Sequence, residues 1–105
     1  MVIQITDNNF NDIVIKESKL VMVDFWADWC GPCRQIAPVF EEASDDFKDH
    51  ILSCKINIDE NPMSPSKYGV KGLPTILFFR DGQVIGSQIG AVPKNKLYDK
   101  IRSFF

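Results

Sequence analysis

Histidine and cysteine are scarce: the 105 residues hold one histidine, His50, and three cysteines, Cys30, Cys33 and Cys54. The lone histidine follows a charged stretch, residues 45–49, at a distance from the cysteine pair. It reads as a solvated loop residue, which argues against a Cys–His catalytic pair. An odd number of cysteines is unsuited to a secreted disulfide scaffold, and a core of this size does not need such staples. The expected setting is therefore a reducing compartment, by default the cytoplasm, where a CxxC is catalytic or metal-binding. No apolar run approaches the ~20 residues needed to span a bilayer. The N-terminal residues 1–7 show no charged segment followed by an apolar one, so no signal peptide is expected. With a formal net charge of −2, there is no basic footprint for nucleic acid and no polybasic membrane patch. A Gly-rich dinucleotide fingerprint is also missing, so no nucleotide is expected on this chain. Repeats, low-complexity tracts and linkers are absent as well, which predicts a single domain over residues 1–105.

What is present alternates between strand and helix patterns. Residues 2–5 read as a short strand, after which Thr6 or Asp7 is placed to cap a helix whose buried face is Phe10, Ile13 and Val14. The run 20–27 is almost continuously apolar, as expected of a central strand covered on both faces. A helix is expected over 34–47, with Pro38 inside it to kink it. A second apolar strand spans 51–58, and a helix-plus-loop segment, 59–71, leads to Pro74. Strands 75–79 and 84–89 flank Asp81-Gly82, a strong hairpin signal. A last helix, 94–104, carries Leu97, Ile101 and Phe104 on one face. The order βαβαβαββα predicts an α/β fold: a central mixed sheet with helices on both faces.

The chemistry concentrates at Trp29-Cys30-Gly31-Pro32-Cys33, between strand and helix. Two cysteines three positions apart at a helix start lie close enough to bridge. Gly31 permits the tight bend, and Pro32 presets a helical φ where a first-turn N–H has no partner. The partial positive charge and free N–H groups of a helix start favour a thiolate, the nucleophile of disulfide exchange. Cys30, at the exposed end, is the expected nucleophile, and Cys33, one turn inside, the resolving thiol.

Other residues read two ways. Asp24 lies in the apolar strand, where burial raises its pKa; it is either a proton acceptor for Cys33 or a structural aspartate satisfied locally. Pro74 by its own chemistry is a rigid strand start. Trp29, Gly31, Pro32, Gly72, Leu73, Pro74, Gly90, Ala91 and Val92 are expected to form a small apolar surface around Cys30, suited to close approach by a substrate backbone. For Gly90 and Ala91 the alternative is a plain turn before the last helix. Cys54 reads as a buried inert thiol.

The segment Val23-Asp24-Phe25-Trp26-Ala27-Asp28-Trp29-Cys30-Gly31-Pro32-Cys33 resembles the thioredoxin family, close to its bacterial type. Further matches extend that resemblance over essentially the whole chain. It implies the thioredoxin fold and its strand order. Asp24 then matches the family's buried aspartate, and Lys55 the lysine near it, where the residue alone reads equally as an edge or surface lysine. Pro74 matches the family's cis-proline, which exposes the Leu73 backbone to an extended substrate. The implied activity is that of a general protein disulfide reductase with a reversible Cys30–Cys33 pair, serving electron transfer and cell redox homeostasis. Its implied partners are disulfide-containing proteins and a thioredoxin reductase drawing on NADPH, with no cofactor on the chain itself; the expected state is a monomer. Departures are Arg34, where lysine is most common, the 63–66 loop, and Val92-Pro93. Three other readings remain: an oxidase or isomerase of the same fold, a binding module within a larger complex, and a CxxC zinc half-site lacking further ligands at suitable spacing.

Overall fold

The computed structural model describes every residue, Met1–Phe105. Its strands and helices are β1 (Ile3–Gln4), β2 (Leu20–Trp26), α1 (Gly31–Asp46), β3 (Ile51–Asn57), α2 (Met63–Lys67), β4 (Thr75–Arg80), β5 (Gln83–Ile89) and α3 (Lys94–Arg102). The sheet order is β1-β3-β2-β4-β5. β2 pairs parallel with β3 and antiparallel with β4, so it occupies the centre of a mixed sheet. That position accounts for its unbroken apolar run: both edges are paired and both faces are covered.

Side chains alternate across β2 with period two. Leu20 and Met22 join Ile36, Phe40, Leu97 and Ile101 on the face carrying α1 and α3. Val21, Val23 and Phe25 join Phe10, Val14 and Cys54 on the other face. Asp24 shares the parity of Met22 and so belongs to the α1 side, the side from which the cysteines project.

Three local expectations need correction. The helix predicted after β1 is a single π-type turn, Asn11–Ile15, in which the Lys16 N–H reaches the Asn11 carbonyl at 3.1 Å. Of the two expected caps, Thr6 Oγ1 accepts from the Asn9 N–H at 3.4 Å just ahead of that turn, whereas Asp7 does not cap it. Its carboxylate accepts from the N–H groups of Met63 (3.0 Å) and Ser64 (2.8 Å) and from Ser64 Oγ (2.6 Å), so it caps α2 instead. Burial alone raises the Asp7 pKa, but these hydrogen bonds hold it below the usual value. The third correction concerns α1, which starts at Gly31 rather than Arg34, with Cys30 as its N-cap and Pro32 in its first turn. The helix then runs on through Pro38, which lies on the solvent side.

The hairpin forms as the Asp-Gly pair predicts: Asp81 and Gly82 both take positive φ, 51° and 77°, as a type I′ turn demands. One residue too many on β5, Ile85, produces a bulge opposite Phe78 and Phe79. At the other end of the chain, α3 stops at Arg102, and Phe104 beyond it packs on Phe78 with ring centroids 4.8 Å apart. Gly86 makes room for that ring: a Cβ there sits 2.5 Å from Phe104 Cζ.

Candidate active site

The cysteine pair sits where β2 ends and α1 begins. Cys30 and Cys33 are joined by a disulfide, with Cα atoms 5.3 Å apart. The Cys33 N–H, one of the unpaired donors of the helix start, points at Cys30 Sγ from 3.1 Å. A thiolate formed on Cys30 therefore meets a donor and the positive end of α1 together.

The expected difference in exposure is not seen in the disulfide form: both cysteines are 4% exposed. The reason is that Ala27, Trp26, Ile58 and Leu73 pack around the pair from several elements. What separates the two residues is the surface each one lines. Cys30 lines an open groove of about 380 Å³ together with Trp29, Gly31, Pro32 and Leu73. Cys33 lines a different hollow of about 180 Å³, walled by Asp24, Trp26, Arg34 and Lys55 among others.

On the Cys33 side, Asp24 is 5% exposed and its Oδ1 has no hydrogen-bond partner. Burial pushes its pKa up to about 7, against the pull of the positive charge on Lys55. Lys55 is the register partner of Asp24 across β2 and β3, half-buried, with Nζ 5.8 Å from the Trp26 ring centroid. Arg34 folds back from α1, donating from Nη1 to the Asp28 carbonyl at 2.6 Å.

On the Cys30 side, Trp29 is 67% exposed, and its Nε1–H donates to Asp59 Oδ2 at 2.8 Å. Leu73-Pro74 is a cis peptide, and Pro74 is buried. The Pro74 carbonyl accepts from the Gly90 N–H at 2.8 Å, with Gly90 at φ 87°. Ala91 faces a separate depression with Gln35, Val39, Val92 and Pro93. Trp29, Gly31, Pro32 and Leu73 thus share the groove at Cys30, Pro74 and Gly90 lie hydrogen-bonded together, and Ala91 turns elsewhere.

Sequence reasoning missed Ile58, Val70 and Lys71, which complete the groove. Ile58 lies just past the carboxyl end of β3, and ligands of open α/β sheets gather at such ends, a signal that points to it. Val70 lies in the loop between α2 and β4, three residues before Leu73, a weaker signal. The third thiol, Cys54, is buried and unbonded, and burial together with the charge of Glu17 pushes its pKa up to about 12. No group of three or more His, Cys, Asp or Glu side chains is arranged to hold a metal ion. No helix is long and apolar enough to cross a membrane.

A mixed five-stranded sheet with a disulfide at the start of its central crossover helix defines a thiol–disulfide oxidoreductase. Comparison with known proteins narrows this further. The thioredoxin family profile matches residues 1–103. Thioredoxin from Rhodospirillum rubrum is 51% identical over 100 residues, covering 95% of this chain and 96% of that one. The Pseudomonas aeruginosa thioredoxin is 46% identical, covering 91% and 89%. That of Rickettsia prowazekii is 45% identical, covering 96% of each. The chain belongs to the thioredoxin family, and its activity is that of a protein-disulfide reductase.

Proposed function

We propose that Cys30 is the nucleophile of a general protein disulfide reductase and Cys33 its resolving thiol. The Cys30 thiolate attacks one sulfur of a substrate disulfide, forming a mixed disulfide and releasing the other substrate sulfur, which takes up a proton. Cys33, giving its proton to Asp24, attacks Cys30 Sγ, and the second substrate sulfur leaves as a thiol. Two electrons pass to the substrate, and the protein is left with its Cys30–Cys33 disulfide. The observation that supports this division most directly is that Cys30 lines the larger groove, beside Trp29 and Leu73, and Cys33 a smaller hollow shared with Asp24.

In this reading Lys55 tunes Asp24. Trp29, Gly31, Pro32, Leu73 and Pro74 receive the substrate backbone, with Gly90 and Ala91 at the margin. The cis-proline loop offers the Leu73 backbone to an extended segment, as in strand addition. A thioredoxin reductase drawing on NADPH restores the dithiol, and the chain acts as a cytoplasmic monomer of one domain that carries no cofactor of its own.

Dithiothreitol-driven reduction of a model protein disulfide tests this. The native protein is expected to turn over, and Cys30→Ser and Cys33→Ser to lose turnover. Only Cys33→Ser should trap substrate, through Cys30. Trapping by Cys30→Ser instead reverses the two assignments, and no turnover by the native protein above dithiothreitol alone ends the reductase reading.

A further inference from the structure

β5 is an edge strand, exposed except at half-buried Gly86 and Gln88, with no charged side chain and no proline from Gln83 to Ile89. Exposed edges are ordinarily guarded by charge, proline or a bulge, and here only the bulge at Ile85 is present. Ser87 pairs with Leu77, Ile89 with Thr75, and Val84 with Phe79, so their side chains lie on the sheet face that carries Tyr68. Val84 and Ile89 remain 44% and 66% exposed. Between β5 and the Tyr68 loop lies a groove of about 420 Å³, whose walls include Tyr68, Val70, Leu77, Val84, Ser87 and Ile89.

This groove is joined to the reactive one. Val70 and Lys71 line both, so the hollow at Cys30 and the hollow along β5 share a wall. Lys71 is the only charged residue on either lining. Gly72 lies between the cis-proline loop and β5, where a Cβ comes within 3.8 Å of Ile89 Cγ2. An extended chain advances ~3.3 Å per residue and turns alternate side chains to one face. A few residues therefore carry a substrate from Cys30 across this wall.

We infer that the β5 groove is a second subsite for the polypeptide being reduced, taking apolar side chains a few residues away from the cysteine that Cys30 attacks. The occupant is an extended, apolar segment of the disulfide-bearing protein. Continuity with the Cys30 groove is what selects it over a second copy of this chain, and the inference rests on the reductase reading above. The far end of the groove, at Val84 and Ser87, sets a preference for apolar over polar flanking sequence. Small disulfides, which end at Cys30, do not sense it.

The test uses synthetic peptides joined in mixed disulfides. One carries three valines placed three to five residues before its cysteine, one carries them after it, and a third carries glycine and serine on both sides. The reduced protein is expected to reduce one valine peptide with a kcat/KM roughly 10-fold above the glycine–serine peptide. Ser87→Glu is expected to remove that advantage and leave the glycine–serine peptide unchanged. Val84→Ser, which thins the apolar wall without adding charge, is expected to remove part of it and serves if the glutamate variant does not fold. Equal rates for all three peptides, or equal losses on all three in a folded variant, overturn the subsite and leave the reductase reading standing. No reduction of any peptide by the native protein overturns the reductase reading itself.

Discussion

The two sides of the cysteine pair are built from different materials. On the Cys30 side the walls are largely apolar and lysine is the only charge. On the Cys33 side the hollow is smaller and holds Asp24, Asp28, Arg34 and Lys55. A single disulfide therefore presents one end to a place where a foreign chain can lie and the other to a place where a proton can go. In the mechanism proposed above, two chemically identical thiols acquire different tasks from what surrounds them.

Asp24→Asn should break the comparison most forcefully, because it removes the proposed proton acceptor while preserving shape. Release from the mixed disulfide is expected to slow by ~10²-fold and to lose its rise through pH 7, while formation of the mixed disulfide is unaffected. Stopped-flow separation of the two phases, repeated across pH, checks this. Stability should move the opposite way. Well below pH 3.8 the carboxyl is protonated in folded and unfolded chains alike. Between 3.8 and about 7 the unfolded chain gives up its proton while the folded chain keeps it. Stability therefore falls across that window and stays lowered above it. The variant should gain up to roughly 4 kcal/mol at pH 8 and only about 0.5 kcal/mol at pH 4 in urea titrations. A variant no more stable at pH 8 than at pH 4 rules out a buried charge at this position.

Trp29→Ala acts on the other side. It is expected to lower kcat/KM for protein disulfides by roughly 10-fold, since an exposed indole beside the reacting sulfur is suited to anchoring a partner. Resolution of a mixed disulfide already formed should keep its rate. A loss confined to the resolving phase would show that the two sides are not separable.

A smaller effect is expected from Arg34→Lys, which removes the guanidinium bond to the Asp28 carbonyl. The cost should be about 1 kcal/mol or less, read as a modest shift in thermal midpoint with peptide selectivity unchanged. The least effect belongs to Cys54. Iodoacetamide should label the reduced active-site pair in the native protein and reach Cys54 only on unfolding. Labelling of Cys54 at the rate of the pair would contradict its burial.

Much of the fold was legible because it is written locally. The continuous apolar run of β2, the Asp-Gly turn and the helical spacing of Leu97 and Ile101 all refer to near neighbours. The cysteine motif was readable for the same reason, since strand end, tight bend and helix start lie within a few residues. What sequence did not disclose depends on distant partners. Asp7 looks like a cap for the turn at Asn11–Ile15, yet its donors are 56 and 57 residues away in α2. Ile58 and Val70 reach the Cys30 groove only because β3 and the loop before β4 converge there. The equal burial of the two cysteines is not legible locally, because packing from Trp26, Ile58 and Leu73 covers both. Strand order likewise came from family resemblance, since no local pattern states that β2 lies between β3 and β4.

Gly86 and Phe104 have a consequence for the making of the protein. The ring that fills the space over this glycine belongs to a segment that leaves the ribosome after every strand has been synthesised. Leu97, Ile101 and Phe104 are also what cover Met22, Ile76 and Phe78 on that face of the sheet. Until they emerge, a finished sheet stands with one apolar face partly bare, the condition under which nascent chains stick to one another. The stretch after β5 is therefore the one whose delay or truncation should make the newborn chain depend on chaperones.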